Sequence, residues 1–315
     1  MSAHKVTVEQ FYVENASHLG LRLLAGAKGL KRAIKEPTVN RPGLVLAGFK
    51  KYFASKRIQA MGAAEVTYLK TLTKEEREER YREICKNRIP CFVFSRNLKP
   101  DKEFLAAAEA ADIPVFRCPL ITMKFISRAT LALEDLFAPR GQMQGSMVDI
   151  LGVGVVIVGE SGIGKSECVL ALVERGYSLV ADDVTKVKLI DGRVVIGTSA
   201  GVTRNHMEVR GIGIIDVGAM FGVKSIRREK EIDLIVSLQD WDQVDEVDRL
   251  GIEEETSEVL GISVPHITIP VRPGRDIARL VEVAAFQSKL KRSGHNAADE
   301  LNKRLIAQMA REVPE

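Results

Sequence analysis

Apolar and polar positions change period several times along the chain, which is the pattern of short helices alternating with short strands. Residues 7–18 (TVEQFYVENASH) fit an opening helix, and RPGLVLAGFKKYF from residue 41 starts with a Pro-Gly turn. Residues 65–69 (EVTYL) have strand composition. Thr73 is placed to N-cap a highly charged helix, TKEEREERYREICKN, in which Glu76–Arg80 and Glu78–Arg82 stand at i,i+4 spacing. A buried strand is expected at 89–95, an Ala-rich helix at 102–111, and another strand at 113–117.

A helix over 127–137 is followed by APRGQMQGS, whose Pro139, Gly141 and Gly145 mark a linker or turn. With 315 residues, the chain is long enough for two domains. The fold class expected is α/β: a small N-terminal domain over 1–132 and a catalytic domain over 133–315. The second half opens on the apolar run 153–158 and carries further strand signals at IDLIVSL (232–238) and VPHITIPVRPGRD (264–276). Residues 277–311 suggest two helices broken near Ser293 and Gly294.

Composition narrows the function classes. A hydrophobic fraction of 45% and a charged fraction of 28% are those of a globular protein. The net charge of +4 has its signs interspersed, and aromatics make up 5%; neither favours nucleic acid or an anionic membrane as partner. The start, MSAHKVTVEQFYVEN, has no signal-peptide core, and LGVGVVIVG is too short for a span. Cys85, Cys91, Cys118 and Cys168 form no CxxC pair. A reduced, cytoplasmic protein without structural metal is expected.

The strongest chemical signal is GESGIGKS: Gly159, Glu160, Ser161, Gly162, Ile163, Gly164, Lys165 and Ser166 fit G-x-x-x-x-G-K-[S/T]. Glycines let successive backbone N–H groups turn inward around a phosphate. Lys165 adds a point charge, the Ser166 hydroxyl suits Mg²⁺, and the helix that follows aims its N-terminus at the same anion. An apolar strand precedes the loop and an amphipathic helix ending at Gly176 follows it, which is the context such a loop requires.

Asp182 and Asp183 close the run YSLVADD. A carboxylate pair at a strand end beside the loop can bind Mg²⁺ or accept a proton from an attacking hydroxyl; a hairpin turn is the bland alternative. In HMEVRGIGIIDV, Glu208 is a possible metal ligand and Arg210 a possible partner for a transferring phosphoryl group, although spacing alone suggests no more than a strand with a Gly bulge. Arg272 and Arg275 make a basic turn further on.

Together these segments resemble the bifunctional HPr kinase/phosphorylase family. The resemblance rests on GVGVVIVGESGIGKSE, LVADD, EVRGIGIIDV, DRLG at 248–251 and ITIPVRPGR, with RPGLVLAGFKKYFASKRIQ in the first half. It implies a core related to phosphoenolpyruvate carboxykinase, a homohexamer, and phosphorylation of a serine in the phosphocarrier HPr by ATP or pyrophosphate. Phosphorolysis back to pyrophosphate is the implied reverse reaction. It also implies ATP phosphates on the 159–166 loop, Mg²⁺ on Ser166 and Glu208, and catalytic roles for Lys165 and Arg249. The acid/base role falls on Asp183, with Asp182 the near alternative. A catalytic segment is implied over Met207, Glu208, Val209, Arg210, Gly211, Ile212, Gly213, Ile214, Ile215 and Asp216. A region tied to dephosphorylation is implied over Pro270, Val271, Arg272, Pro273, Gly274 and Arg275.

One position departs from the family pattern. A His-Gly pair is usual before the strand that leads into the loop, and that His is counted in the active site; here the pair is Gln144-Gly145. Gln hydrogen-bonds a phosphate but carries neither charge nor proton, so a weakened or altered phosphorylase is expected. His266 and Asp276 also stand where Lys and Asn are commoner. The alternatives are a kinase of the same fold with another protein or small-molecule substrate, and a nucleotide-sensing regulator that does no chemistry.

Overall fold

The computed structural model describes residues 5–201, 204–243 and 255–296, with residues 300, 301, 303, 304 and 308. The chain divides into two compact units, Met1–Ala138 and Pro139–Glu315. The division follows a helix that is continuous from 122 to 137.

The first unit contains α1 (Val8–Leu19), β1 (Arg22–Ala25), β2 (Val39–Asn40), α2 (Gly43–Leu46), β3 (Ile58–Met61) and α3 (Ala63–Thr71). It continues with α4 (Lys74–Cys85), β4 (Phe92–Phe94), α5 (Lys102–Ala110), β5 (Val115–Arg117) and α6 (Thr122–Phe137). Its sheet has the order β1-β5-β4-β3-β2, parallel except for β1. Strand alternation splits the apolar residues between two cores. Val93 and Phe116 face Phe11, Phe125 and Leu133, while Phe92 and Phe94 face Tyr81 and Phe104.

Two expectations fail here for identifiable reasons. Residues 65–69 lie in α3, because Glu65 caps it: its carboxylate accepts from the Gly62 N–H at 2.9 Å and holds the Arg41 fork at 3.0 Å. In α4, Thr73 and Glu76 form a capping box, so Glu76 turns back to the helix start while Arg80 pairs with Glu83.

The second unit begins with β6 (Arg140–Gln144), β7 (Ser146–Ile150), β8 (Val153–Gly159), α7 (Lys165–Glu174), β9 (Ser178–Ala181), β10 (Val184–Ile190) and β11 (Val194–Thr198). There follow β12 (His206–Val209), β13 (Gly213–Asp216), α8 (Val217–Phe221), β14 (Glu229–Glu231), β15 (Leu234–Asp240), β16 (Thr256–Val259), β17 (Ile262–Val271) and α9 (Ile277–Arg292). A large sheet runs β16-β17-β15-β8-β7-β9, a small antiparallel one runs β14-β11-β10-β6, and β12 pairs with β13. The stretch expected as a linker is therefore largely strand β6, whose mostly exposed residues show no alternation and which exists by pairing with β10. Helices α7 and α9 cover one face of the large sheet through Val169, Leu172, Val281 and Ala285, while Met147, Val156 and Ile235 join Val187 and Val195 in a second core. The second of the two helices expected after residue 277 falls largely outside the described residues. Among the described residues, no helix is long and apolar enough to cross a membrane.

Candidate active site

Strands β8, β15 and β17 are parallel, so their C-terminal ends share one edge of the large sheet. That edge is where an open α/β sheet collects ligands. β8 ends at Gly159, and the 160–164 turn delivers Lys165 and Ser166 into the first turn of α7. Gly164, at φ 102°, occupies the N-cap in a conformation that L side chains rarely adopt. The free N–H groups of α7 thus open toward the turn. Lys165 Nζ donates to the carbonyls of Gly159 at 2.9 Å and Glu160 at 2.8 Å.

The two aspartates come to this edge through a paired kink. β6 and β10 are antiparallel in the small sheet, β7 and β9 are antiparallel in the large one, and both strand pairs change sheet at the same point. Gly145 sits at the turn on one side, where a Cβ would lie 2.7 Å from the Ile157 carbonyl; Asp182 and Asp183 sit on the other. The Gly145 N–H donates to the Asp183 carbonyl at 2.7 Å, and Thr185 Oγ1 donates to the Gly145 carbonyl at 2.9 Å.

Ser146 ties the kink together, and nothing in the sequence singled it out. Fully buried, its hydroxyl donates to Asp182 Oδ1 at 2.8 Å and accepts from the Asp183 N–H at 3.2 Å. The other Asp182 oxygen accepts from the Glu208 N–H at 3.1 Å. Burial pushes the Asp182 carboxyl above its ordinary value; the Asp183 charge adds to the rise, and the hydrogen bonds oppose it. Asp183 is different: exposed, at φ 56°, with no side-chain hydrogen bond among the described residues. One carboxylate is therefore saturated by the protein and the other is open to a reactant.

The Gly-containing segment forms a hairpin rather than a bulged strand, β12 against β13, with Glu208 opposite Ile214. Met207 and Val209 are buried in the core under α7, which leaves Glu208 and Arg210 on the outer face. Arg210 Nη2 donates to Ser161 Oγ at 2.8 Å, pinning the hairpin to the 160–164 turn. Gly211 and Gly213 make the turn, Ile212 and Ile214 are exposed, and Ile215 packs on the core. Asp216 caps α8 by accepting from the Ala219 N–H at 3.0 Å, which is a local structural task.

On the neighbouring strand ends, Arg272 and Arg275 stack over Trp241 with 4.8 and 5.6 Å between guanidinium carbon and ring centre. Arg275 also donates to the Pro270 carbonyl at 2.9 Å, while Val271 packs on the core and Pro273 and Gly274 are exposed. Gln144 ends β6 opposite Val184, beside Asp183, with its side chain exposed. Arg249 lies outside the described residues.

No three His, Cys, Asp or Glu side chains among the described residues converge as a metal site. What the chain offers here is hard oxygen chemistry: the Ser166 hydroxyl and the exposed Glu208 and Asp183 carboxylates. That suits Mg²⁺, which is commonly held by one or two protein oxygens together with substrate phosphates.

Two family models match: "HPr Serine kinase N terminus" over residues 6–133 and "HPr Serine kinase C-terminal domain" over 135–305. A protein named HPr kinase/phosphorylase from Listeria monocytogenes serotype 4a (strain HCC23) is 42% identical over 91% of this chain and 92% of its own length. One of the same name from Geobacter sulfurreducens is 40% identical over 98% and 97% respectively. A solved structure described as the Hpr(Ser) kinase/phosphatase from Coxiella burnetii shares 34% identity over 51% of this chain and 98% of its own, with a TM-score of 0.47.

Proposed function

The chain belongs to the HPr serine kinase family, and from that premise we propose that it transfers a phosphoryl group from ATP or pyrophosphate to a serine of HPr. The observation that carries the reading is the pairing of a phosphate loop with one solvent-open aspartate at the same sheet edge. The loop N–H groups and Lys165 hold the donor phosphates. Asp183 takes the proton from the attacking serine hydroxyl as the new O–P bond forms and the donor's bridging P–O bond breaks, releasing ADP from ATP or phosphate from pyrophosphate. Lys165 and Arg210 offset charge on the equatorial oxygens. Asp182, engaged at both oxygens, positions rather than accepts. Ser166 and Glu208 would hold Mg²⁺, which, when bound, neutralises charge on the phosphates. Arg249 is assigned to the same centre by the family pattern.

In reverse, an oxygen of inorganic phosphate attacks the phosphoserine phosphorus, and the P–O–P bond of pyrophosphate forms as the bond to the seryl oxygen breaks. Protonated Asp183 gives its proton to that oxygen. Gln144, beside Asp183, replaces a titratable imidazole with a neutral amide, so this direction is the slower one. Residues 270–275 belong to the same direction, with Trp241 fixing their two arginines. A cytoplasmic homohexamer is the assembly and setting that the family implies.

Transfer of radiolabel from ATP to purified HPr tests the reading. We expect labelled phosphoserine, lost at least a thousandfold in Asp183→Asn, in line with the removal of a general base together with its charge. Phosphoserine-HPr with phosphate and Mg²⁺ should release pyrophosphate more slowly than the kinase step. Failure of a folded chain to label HPr while it hydrolyses or binds ATP would move the substrate elsewhere.

A further inference from the structure

The first unit holds a cavity of about 550 Å³ lined by Arg22, Lys99 and Arg117 together with Ser17 and Asn97, and no carboxylate faces it. Arg22 and Arg117 stand directly opposite each other on the antiparallel pair β1–β5, where like charges repel. The side chains of Arg22, Arg117 and Lys99 form no hydrogen bond or ion pair among the described residues, and Arg117 Nε is shut off from solvent without an acceptor. Two guanidinium groups and an ammonium that line one cavity with no anion beside them repel one another, and an anionic ligand seated there would relieve that repulsion. The loop bearing Asn97 is set in advance: Arg96 and Asn97 both occupy left-handed backbone, at φ 57° and 53°. Their N–H groups donate to the Leu120 and Cys118 carbonyls at 2.7 and 2.8 Å.

We propose that this cavity binds a small phosphate ester, with the phosphate taken by the two arginine forks and Lys99. Three cations call for a ligand that carries about two negative charges, and a guanidinium fork matches phosphate oxygens two at a time. The volume accommodates an ester body beyond the phosphate, and Ser17 and Asn97 supply hydrogen bonds to its polar groups. Every residue involved lies in the first unit, so the proposal stands or falls independently of the phosphoryl-transfer assignment.

The test is calorimetric titration of inorganic phosphate and of glycerol 3-phosphate into the full chain carrying Lys165→Ala, which weakens the phosphate loop. Saturable binding is expected, weakened about tenfold or more by adding Arg117→Gln or Arg22→Gln, the size expected for a lost charge-assisted bond. No saturable binding, or affinity unchanged in both arginine variants, overturns the proposal. A second measurement needs no substitution in the cavity: the Arg117 Nε–H resonance should move on saturation with phosphate. A resonance that stays in place overturns it too.

Discussion

At the scale of single residues, the two aspartates owe their different characters to one hydroxyl. Ser146 supplies a donor to Asp182 and an acceptor to the Asp183 N–H, and both groups are shielded enough for the loss of either bond to matter. Ser146→Ala should destabilise the second unit by about 1–3 kcal/mol, the cost of stranding partly buried polar groups. In an HPr phosphorylation assay, kcat should fall with KM for ATP nearly unchanged, because the loop does not depend on this hydroxyl. Ser146→Thr, which keeps the hydroxyl, should recover part of the rate. An unchanged kcat would show that Asp183 is positioned by the backbone alone. The loop and the aspartates were legible because phosphate chemistry demands a short contiguous signature. Ser146 was not, since its carboxylate partner is 36 positions away and a serine in an apolar strand announces nothing.

Among the elements, α9 shows how a site-flanking helix is anchored. Asp276 caps it by accepting from the Arg279 N–H at 3.0 Å and pairs with Arg175 of the α7 C-cap at 2.8 Å. These bonds hold the Asp276 carboxyl below its ordinary value. A lowered folded-state value means that the carboxylate stabilises the fold above the unfolded value, and that this contribution disappears as pH falls through the folded one. Asp276→Asn keeps a cap but loses the charge, so parent and variant unfolding midpoints should differ at neutral pH and converge in acid. Denaturant melts at pH 7 and at successively lower pH check this, the gap between parent and variant narrowing as the folded-state carboxyl protonates. Sequence patterning found α1, α4, α5 and the strand-loop-helix unit, where caps and period agree. It mistook α3 for a strand because the deciding contacts come from Arg41, and it mistook β6 for a linker because a strand polar on both faces has no period to detect.

For the whole molecule, the thiols report on both units at once. Burial raises Cys85 and Cys168 to about 12 and pushes Cys91 and Cys118 upward as well. Iodoacetamide at pH 8 should leave the native chain unmodified, whereas the chain in urea gains four adducts by mass spectrometry. Adducts on the native chain would show that one of the cores opens. The paired kink has a mechanical consequence: the proposed base is mounted where two sheets meet, so its distance from the phosphate loop depends on how firmly those sheets are locked together. Met147 is the bolt, fully buried and lying on Gly197 of the small sheet, where even a Cβ would come within 2.3 Å of its sulfur. Met147→Ala should cost about 2–5 kcal/mol. It should also slacken the joint, so that on warming, phosphoryl transfer fails several degrees before circular dichroism registers unfolding. Here stiffness between layers, rather than any group that touches the reactants, sets the temperature at which the chemistry stops.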